Sequence, residues 1–99
     1  MSILTLSLFG CATIKLTAEG EMVEVRQPDN VANCIEVGKT KTNVTYHVLG
    51  IERPEATMKR ELAEIARNGA AKLGGDTVVP LTVIKEGVQT FLVYNCNSV

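Results

Sequence analysis

Apolar residues recur at helical spacing from Met58 through Leu62, Ile65, Ala66, Gly69 and Ala70 to Leu73. Lys59, Arg60, Glu61, Glu64, Arg67 and Lys72 fall mostly on the other side. A one-sided stripe with a period near 3.6 predicts one long amphipathic helix. Pro54 suits its first turn, where the missing N–H costs nothing. Gly74 suits the left-handed residue that ends it, because it has no Cβ to clash. Residues 77–84 then read as a strand, Lys85-Glu86-Gly87 as a hairpin turn with Gly where φ is positive, and 88–96 as the last strand. Pro80 inside the third strand implies an unpaired side or a bulge there.

Upstream of the helix the pattern is shorter and less regular. Residues 22–26 predict a first strand with Val23 and Val25 facing inward. Gln27-Pro28-Asp29-Asn30 breaks it, and Asp29 or Asn30 can cap a helical turn through Val31, Ala32 and Asn33. Residues 34–44 predict the second strand, with Gly38 marking a bulge or a close backbone approach. Residues 45–53 read as a strand end and a loop around Gly50 that feeds the helix. The expected architecture is an α+β two-layer domain, β-β-α-β-β, with one long helix packed on a mainly antiparallel sheet.

Residues 1–10 carry no charge, and Cys11 follows at once. Leu8-Phe9-Gly10-Cys11 matches the bacterial lipobox: Leu at −3, a small residue at −1, then the Cys that takes a diacylglycerol. The segment is short and lacks a Lys or Arg before its apolar part, which fits a start placed too late or a trimmed chain. The other reading is a buried strand, since Leu4, Leu6 and Leu8 alternate with Thr5 and Ser7. Under the lipobox reading the chain divides into a truncated signal segment at 1–10, a lipidated tether at 11–21 and a small domain at 22–99. Ala12, which is not Asp, then implies export to the outer membrane, facing the periplasm, as in the lipoproteins this segment resembles.

Composition narrows the function classes. The net charge is −1, with acidic and basic residues mixed along 99 positions. Without a basic stripe nucleic-acid binding is not expected. Trp is absent, and Phe9, Tyr46, Phe91 and Tyr94 are too few for a base-stacking platform. No apolar run approaches the ~20 residues of a transmembrane helix.

Three cysteines are present: Cys11, Cys34 and Cys96. With Cys11 acylated and the chain exported, Cys34 and Cys96 are expected to pair in an oxidising compartment. Two free buried thiols are the first alternative. A metal site that adds His47 is the second, although no CxxC or HxxxH spacing favours it. His47 lies between Tyr46 and Val48 without a triad pattern, and reads as a surface residue. Asp76 follows two glycines and is expected to hold a turn by accepting backbone N–H groups. Glu61, Glu64, Arg60 and Arg67 read as a solvated helix face. No nucleophile or acid–base pair is legible, so an enzyme is not expected, and neither is a cofactor.

Several stretches together carry a resemblance: Lys15-Leu16-Thr17-Ala18-Glu19-Gly20, Val31-Ala32-Asn33-Cys34, the run from Ala66-Arg67-Asn68-Gly69 through Leu73-Gly74-Gly75-Asp76-Thr77-Val78-Val79-Pro80, and Val93-Tyr94-Asn95-Cys96. In this order and spacing they resemble a family of short bacterial lipoproteins known only as a domain of unknown function. More distantly, the helix and Leu-Gly-Gly-Asp-Thr-Val-Val resemble the outer-membrane sensor lipoprotein of the Rcs envelope-stress system and the YbjQ-type proteins. The resemblance implies the small α+β fold and the Cys34–Cys96 disulfide, and transfers no catalytic residue. The expected function is that of a lipid-anchored, non-catalytic envelope protein that binds or senses another envelope component. A small soluble ligand- or metal-binding domain is the alternative. Nothing in the pattern specifies the partner or an oligomeric state.

Overall fold

The structure, a computed structural model, describes residues 14–97. One helix, α1 (Glu55–Lys72), packs on a four-stranded sheet. The strands are β1 (Glu24–Val25), β2 (Ile35–Asn43), β5 (Thr77–Pro80) and β6 (Val88–Asn95), in the order β1-β5-β6-β2. β1 runs parallel to β5, and the other pairs are antiparallel. A separate two-stranded ribbon, β3 (His47–Val48) with β4 (Ile51–Glu52), lies between β2 and α1 in the chain. The expected two-layer α+β architecture is therefore present, with this ribbon added to it.

The helix buries Met58, Leu62, Ala66 and Ala70, an i, i+4 row narrower than the apolar stripe of the sequence. These meet Val78, Phe91, Val93 and Val23 in one cluster. Small residues in the helix let the layers approach closely: Gly69 lies over Thr40 of β2, and a Cβ there would sit 3.1 Å from the Thr40 hydroxyl. Thr42 is buried on the same face and donates its hydroxyl to the Gln89 carbonyl at 2.7 Å.

The turn chemistry follows the residues. Pro54 stands at the N-cap of α1, one position before the first helical residue. Gly74 takes a φ of +82°, and the Gly75 N–H closes the helix end on the Ala70 carbonyl at 2.9 Å. Gly75 passes so close to β6 that a Cβ would collide with Val93. The register of β2 on β6 slips between Glu36 and Gly38, which is the expected bulge. Pro80 pairs with Phe91 on one side, and β1 ends before reaching its other side. Glu86 and Gly87 both take positive φ in the turn before β6.

Three expectations change. The first strand contracts to Glu24–Val25; Val23 just before it is buried, but Val25 is exposed. The helical turn after it comes earlier, at Pro28–Asn30, with Pro28 in its first position and no side-chain cap. The third strand stops at Pro80, and Leu81 and Thr82 both donate to the Thr90 carbonyl beyond it.

Toward its C-terminal end, at Arg67 and Asn68, the helix is met by the chain that precedes β1. Asn68 Oδ1 accepts the Thr17 N–H at 2.9 Å and the Thr17 hydroxyl at 3.0 Å, and Asn68 Nδ2 donates to the Lys15 carbonyl at 2.9 Å. Arg67 donates to the carbonyls of Val23 at 2.7 Å and Glu21 at 3.2 Å. Gly20 is buried under Asn68, where a Cβ would have no room. From Lys15 on, then, part of the expected tether is strapped to α1. The expected solvated face of the helix is corrected in part: Arg67 bonds the strap and Glu61 takes part in an ion pair described below, while Arg60 is exposed as expected.

Candidate functional site

The two long strands run between the same two ends of the domain in opposite directions. β2 begins next to Cys34 and ends at Asn43; β6 begins at Val88 and ends next to Cys96; α1 begins beside β4 and ends at Lys72. The domain therefore has two unlike ends, which hold the residues with chemistry to offer.

At one end Cys34 and Cys96 are joined, with their Cα atoms 4.2 Å apart. Asp76 ties the neighbouring chain together. Its Oδ1 accepts the Cys96 N–H at 2.8 Å and the Thr77 hydroxyl at 2.9 Å, and its Oδ2 accepts the Asn97 N–H at 3.0 Å. Burial pushes the Asp76 pKa up, but the bonds from Cys96, Thr77 and Asn97 outweigh it and hold the carboxyl below its ordinary 3.8. Its backbone also accepts from Glu24 and donates to Tyr94, so β1, β5 and β6 meet at this residue. Asp76 thus holds a turn through backbone N–H groups, as its place after two glycines implies.

At the other end the β3–β4 ribbon projects. Its two central residues, Leu49 and Gly50, have φ of 54° and 79°, the pattern of a type I′ hairpin turn. That turn favours Asn or Asp before Gly. A leucine in the left-handed region costs about 1 kcal/mol, and here it packs on nothing: Leu49 is 96% exposed. Val48 and Ile51 beside it are 52% and 71% exposed. The tip Val48-Leu49-Gly50-Ile51 is thus an apolar finger in water.

The finger is mounted on a firm base. The Arg53 N–H donates to the Tyr46 carbonyl at 2.8 Å, and its guanidinium donates to the Thr45 carbonyl at 2.7 Å and to Glu61 Oε2 at 2.8 Å. The Val44 N–H donates to the Gly87 carbonyl at 2.8 Å, where only glycine fits against Val44. Open clefts flank the base. One, about 570 Å³, lies between the ribbon, α1 and the start of the strap, and includes Ile14, Val48, Arg53, Glu61 and Ile65. The other, about 550 Å³, includes Asn43, Tyr46, His47, Glu86 and Val88. His47 is exposed on the ribbon and stacks on Tyr46, ring centroids 4.1 Å apart.

Of the residues singled out in the sequence, Cys34, Cys96 and Asp76 come together, and His47 lies at the far end from them. Cys11 and the segment 1–10 lie outside the described residues. Among the described residues no group of three His, Cys, Asp or Glu side chains is placed to hold a metal ion. No helix among them is long and apolar enough to cross a membrane. Sequence reasoning missed Leu49, Asn68 and Gly20. Asn68 had a signal: a poor helix former in the middle of a strong helix points to a side chain with bonds to make.

A family model described as a domain of unknown function, DUF4156, matches residues 14–96. No curated protein and no solved structure matches the chain.

Proposed function

The chain belongs to the DUF4156 family, and from that premise we propose that it is a lipid-anchored protein of the outer membrane. In this reading it faces the periplasm and acts by binding or sensing another envelope component, without catalysis. The observation that carries the reading is the use of the cysteines. Cys34 and Cys96 are bonded to each other, which leaves Cys11, the residue in lipobox context, as the remaining thiol of the three. A small domain closed by a disulfide suits an oxidising compartment, and a diacylglycerol on Cys11 would hold it there at a membrane. A binding role is favoured over a chemical one because the exposed His47 is remote from Asp76, and the best-formed unusual surface is apolar.

The test is the mass of the N-terminal peptide of the chain isolated from bacterial membranes. The expected product begins at Cys11, carries a diacylglyceryl group, and contains the Cys34–Cys96 crosslink. Cys11→Ser should move the protein out of the membrane fraction without changing its fold. A chain that keeps residues 1–10 with a free Cys11 thiol overturns the anchor. Free Cys34 and Cys96 together with bound metal would favour a small soluble ligand- or metal-binding domain instead.

A further inference from the structure

We infer that the tip Val48-Leu49-Gly50-Ile51 inserts into the surface of the lipid bilayer next to the anchor, so that the domain is held in one orientation with its disulfide end away from the membrane. The inference rests on the anchor reading above and deepens it.

Three independent observations lead to it. The first is the tip itself. Three apolar side chains project from a ribbon, and the most exposed, Leu49, sits in a backbone conformation that disfavours it. Folding alone would select Asn or Gly there, so the leucine is kept for something outside the domain. The second is the rigidity of the mount: Arg53 bonds the base of the ribbon to Thr45, Tyr46 and Glu61. An apolar tip on a fixed base can set an angle, which a mobile loop cannot.

The third is where Ile14 lies. Ile14 shares a cleft with Val48, the residue next to Leu49. The strap runs from there along α1 to Asn68, toward the disulfide end. Ile14, the first described residue, therefore lies at the ribbon end. Cys11 is three residues before Ile14, and three residues of extended chain span about 10 Å at most. An acyl group on Cys11 would bring the bilayer within that reach of the cleft wall, and a bilayer that close meets the apolar tip. Tyr46, with a polar ring end, stands at the base, where a membrane–water interface would fall. A partner protein on the tip would need a complementary surface for which nothing in the molecule argues. The short covalent reach to Cys11 argues for lipid.

The chain has no tryptophan, so Leu49→Trp makes a single reporter. The lipidated variant, matured to begin at Cys11, is reconstituted into phosphatidylethanolamine–phosphatidylglycerol vesicles, and acylation of Cys11 is checked by mass on the same sample. Because residue 49 is strained, Ile51→Trp serves as a second reporter in ordinary strand geometry. The expected result is a blue-shifted emission, several-fold loss of quenching by aqueous iodide, and strong quenching by brominated lipid. Acylated protein whose tryptophan emits as in water and stays open to iodide overturns the inference and leaves the anchor standing. An unmodified Cys11 removes the anchor reading and the inference with it. A tryptophan shielded in bacterial membranes but open in the pure vesicles assigns the tip to a protein partner and also overturns the inference. So does a tryptophan already shielded without vesicles, which would mean a second copy covers it.

Discussion

The two ends of this domain solve opposite problems. At the disulfide end every unusual residue stabilises the fold: Cys34 bonds Cys96, Asp76 gathers three donors, and Gly74 and Gly75 turn the helix into β5. At the ribbon end the most unusual residue works against stability, since Leu49 holds a left-handed backbone and buries nothing. Strain that the local fold does not need is a better pointer to an outside contact than any single side-chain chemistry in this chain. The difference also sets a direction for the molecule, from an apolar end near Ile14 to a crosslinked end far from it.

Substitutions at the two ends should therefore differ in size and in sign. The largest effect is expected for Cys34→Ser. The disulfide closes a loop with a sequence separation of 62, for which chain entropy gives about 4 kcal/mol. For a domain of this size that lowers the melting temperature by roughly 15–30 °C. Thermal unfolding followed by circular dichroism under oxidising conditions checks it, and an unchanged melting point would remove the staple from the account. Next is Asp76→Ala, expected to cost about 2 kcal/mol because it leaves the Cys96 and Asn97 N–H groups without their carboxylate. The same residue predicts a pH dependence. Its folded pKa lies below the ordinary 3.8, so its contribution is fully present above that value and is lost as pH falls through the folded pKa. Acid titration of stability should thus be shallower below pH ~4 in Asp76→Ala than in the parent.

Effects at the ribbon end should be smaller. Arg53→Ala removes the bonds to Thr45 and Glu61 at the base of the ribbon and should cost about 1 kcal/mol. Hydrogen exchange should then accelerate at residues 46–53 and stay unchanged around Cys96; equal acceleration at both ends would mean the two regions are not independent. The smallest change has the opposite sign. Leu49→Asn places a residue that tolerates the left-handed region into the turn, and should raise stability by about 0.5–1 kcal/mol. A loss of stability on that substitution, read from a denaturant midpoint, would show that Leu49 is packed after all.

The disulfide end was largely legible before any coordinates, because its devices are local and leave marks on the chain. Gly74 after a helical stripe, a polar Asp76 after two glycines, and a glycine inside β2 each have one conformational use that a reader can name. Pro80 likewise announced the free side of β5. The ribbon end was not legible, because Leu49-Gly50 lacks the Asn or Asp that marks a type I′ turn, and two-residue strands have no visible period. The strap escaped for a different reason. Thr17, Lys15, Glu21 and Val23 are held by side-chain-to-backbone bonds from Asn68 and Arg67, and such bonds impose no hydrophobic periodicity. Arg67 on a polar helix face looked solvated for the same reason. The parallel pairing of β1 with β5 was equally hidden, because a strand of two residues shows no period.

The proposed orientation can be tested by placing one tryptophan at each end of the lipidated protein in vesicles that carry brominated lipid. Leu49→Trp reports the ribbon tip, and Ile35→Trp, at a 57% exposed position beside Cys34, reports the far end. Strong quenching at position 49 with none at position 35 is the expected result. Equal quenching at both positions, or quenching at 35 alone, would contradict it.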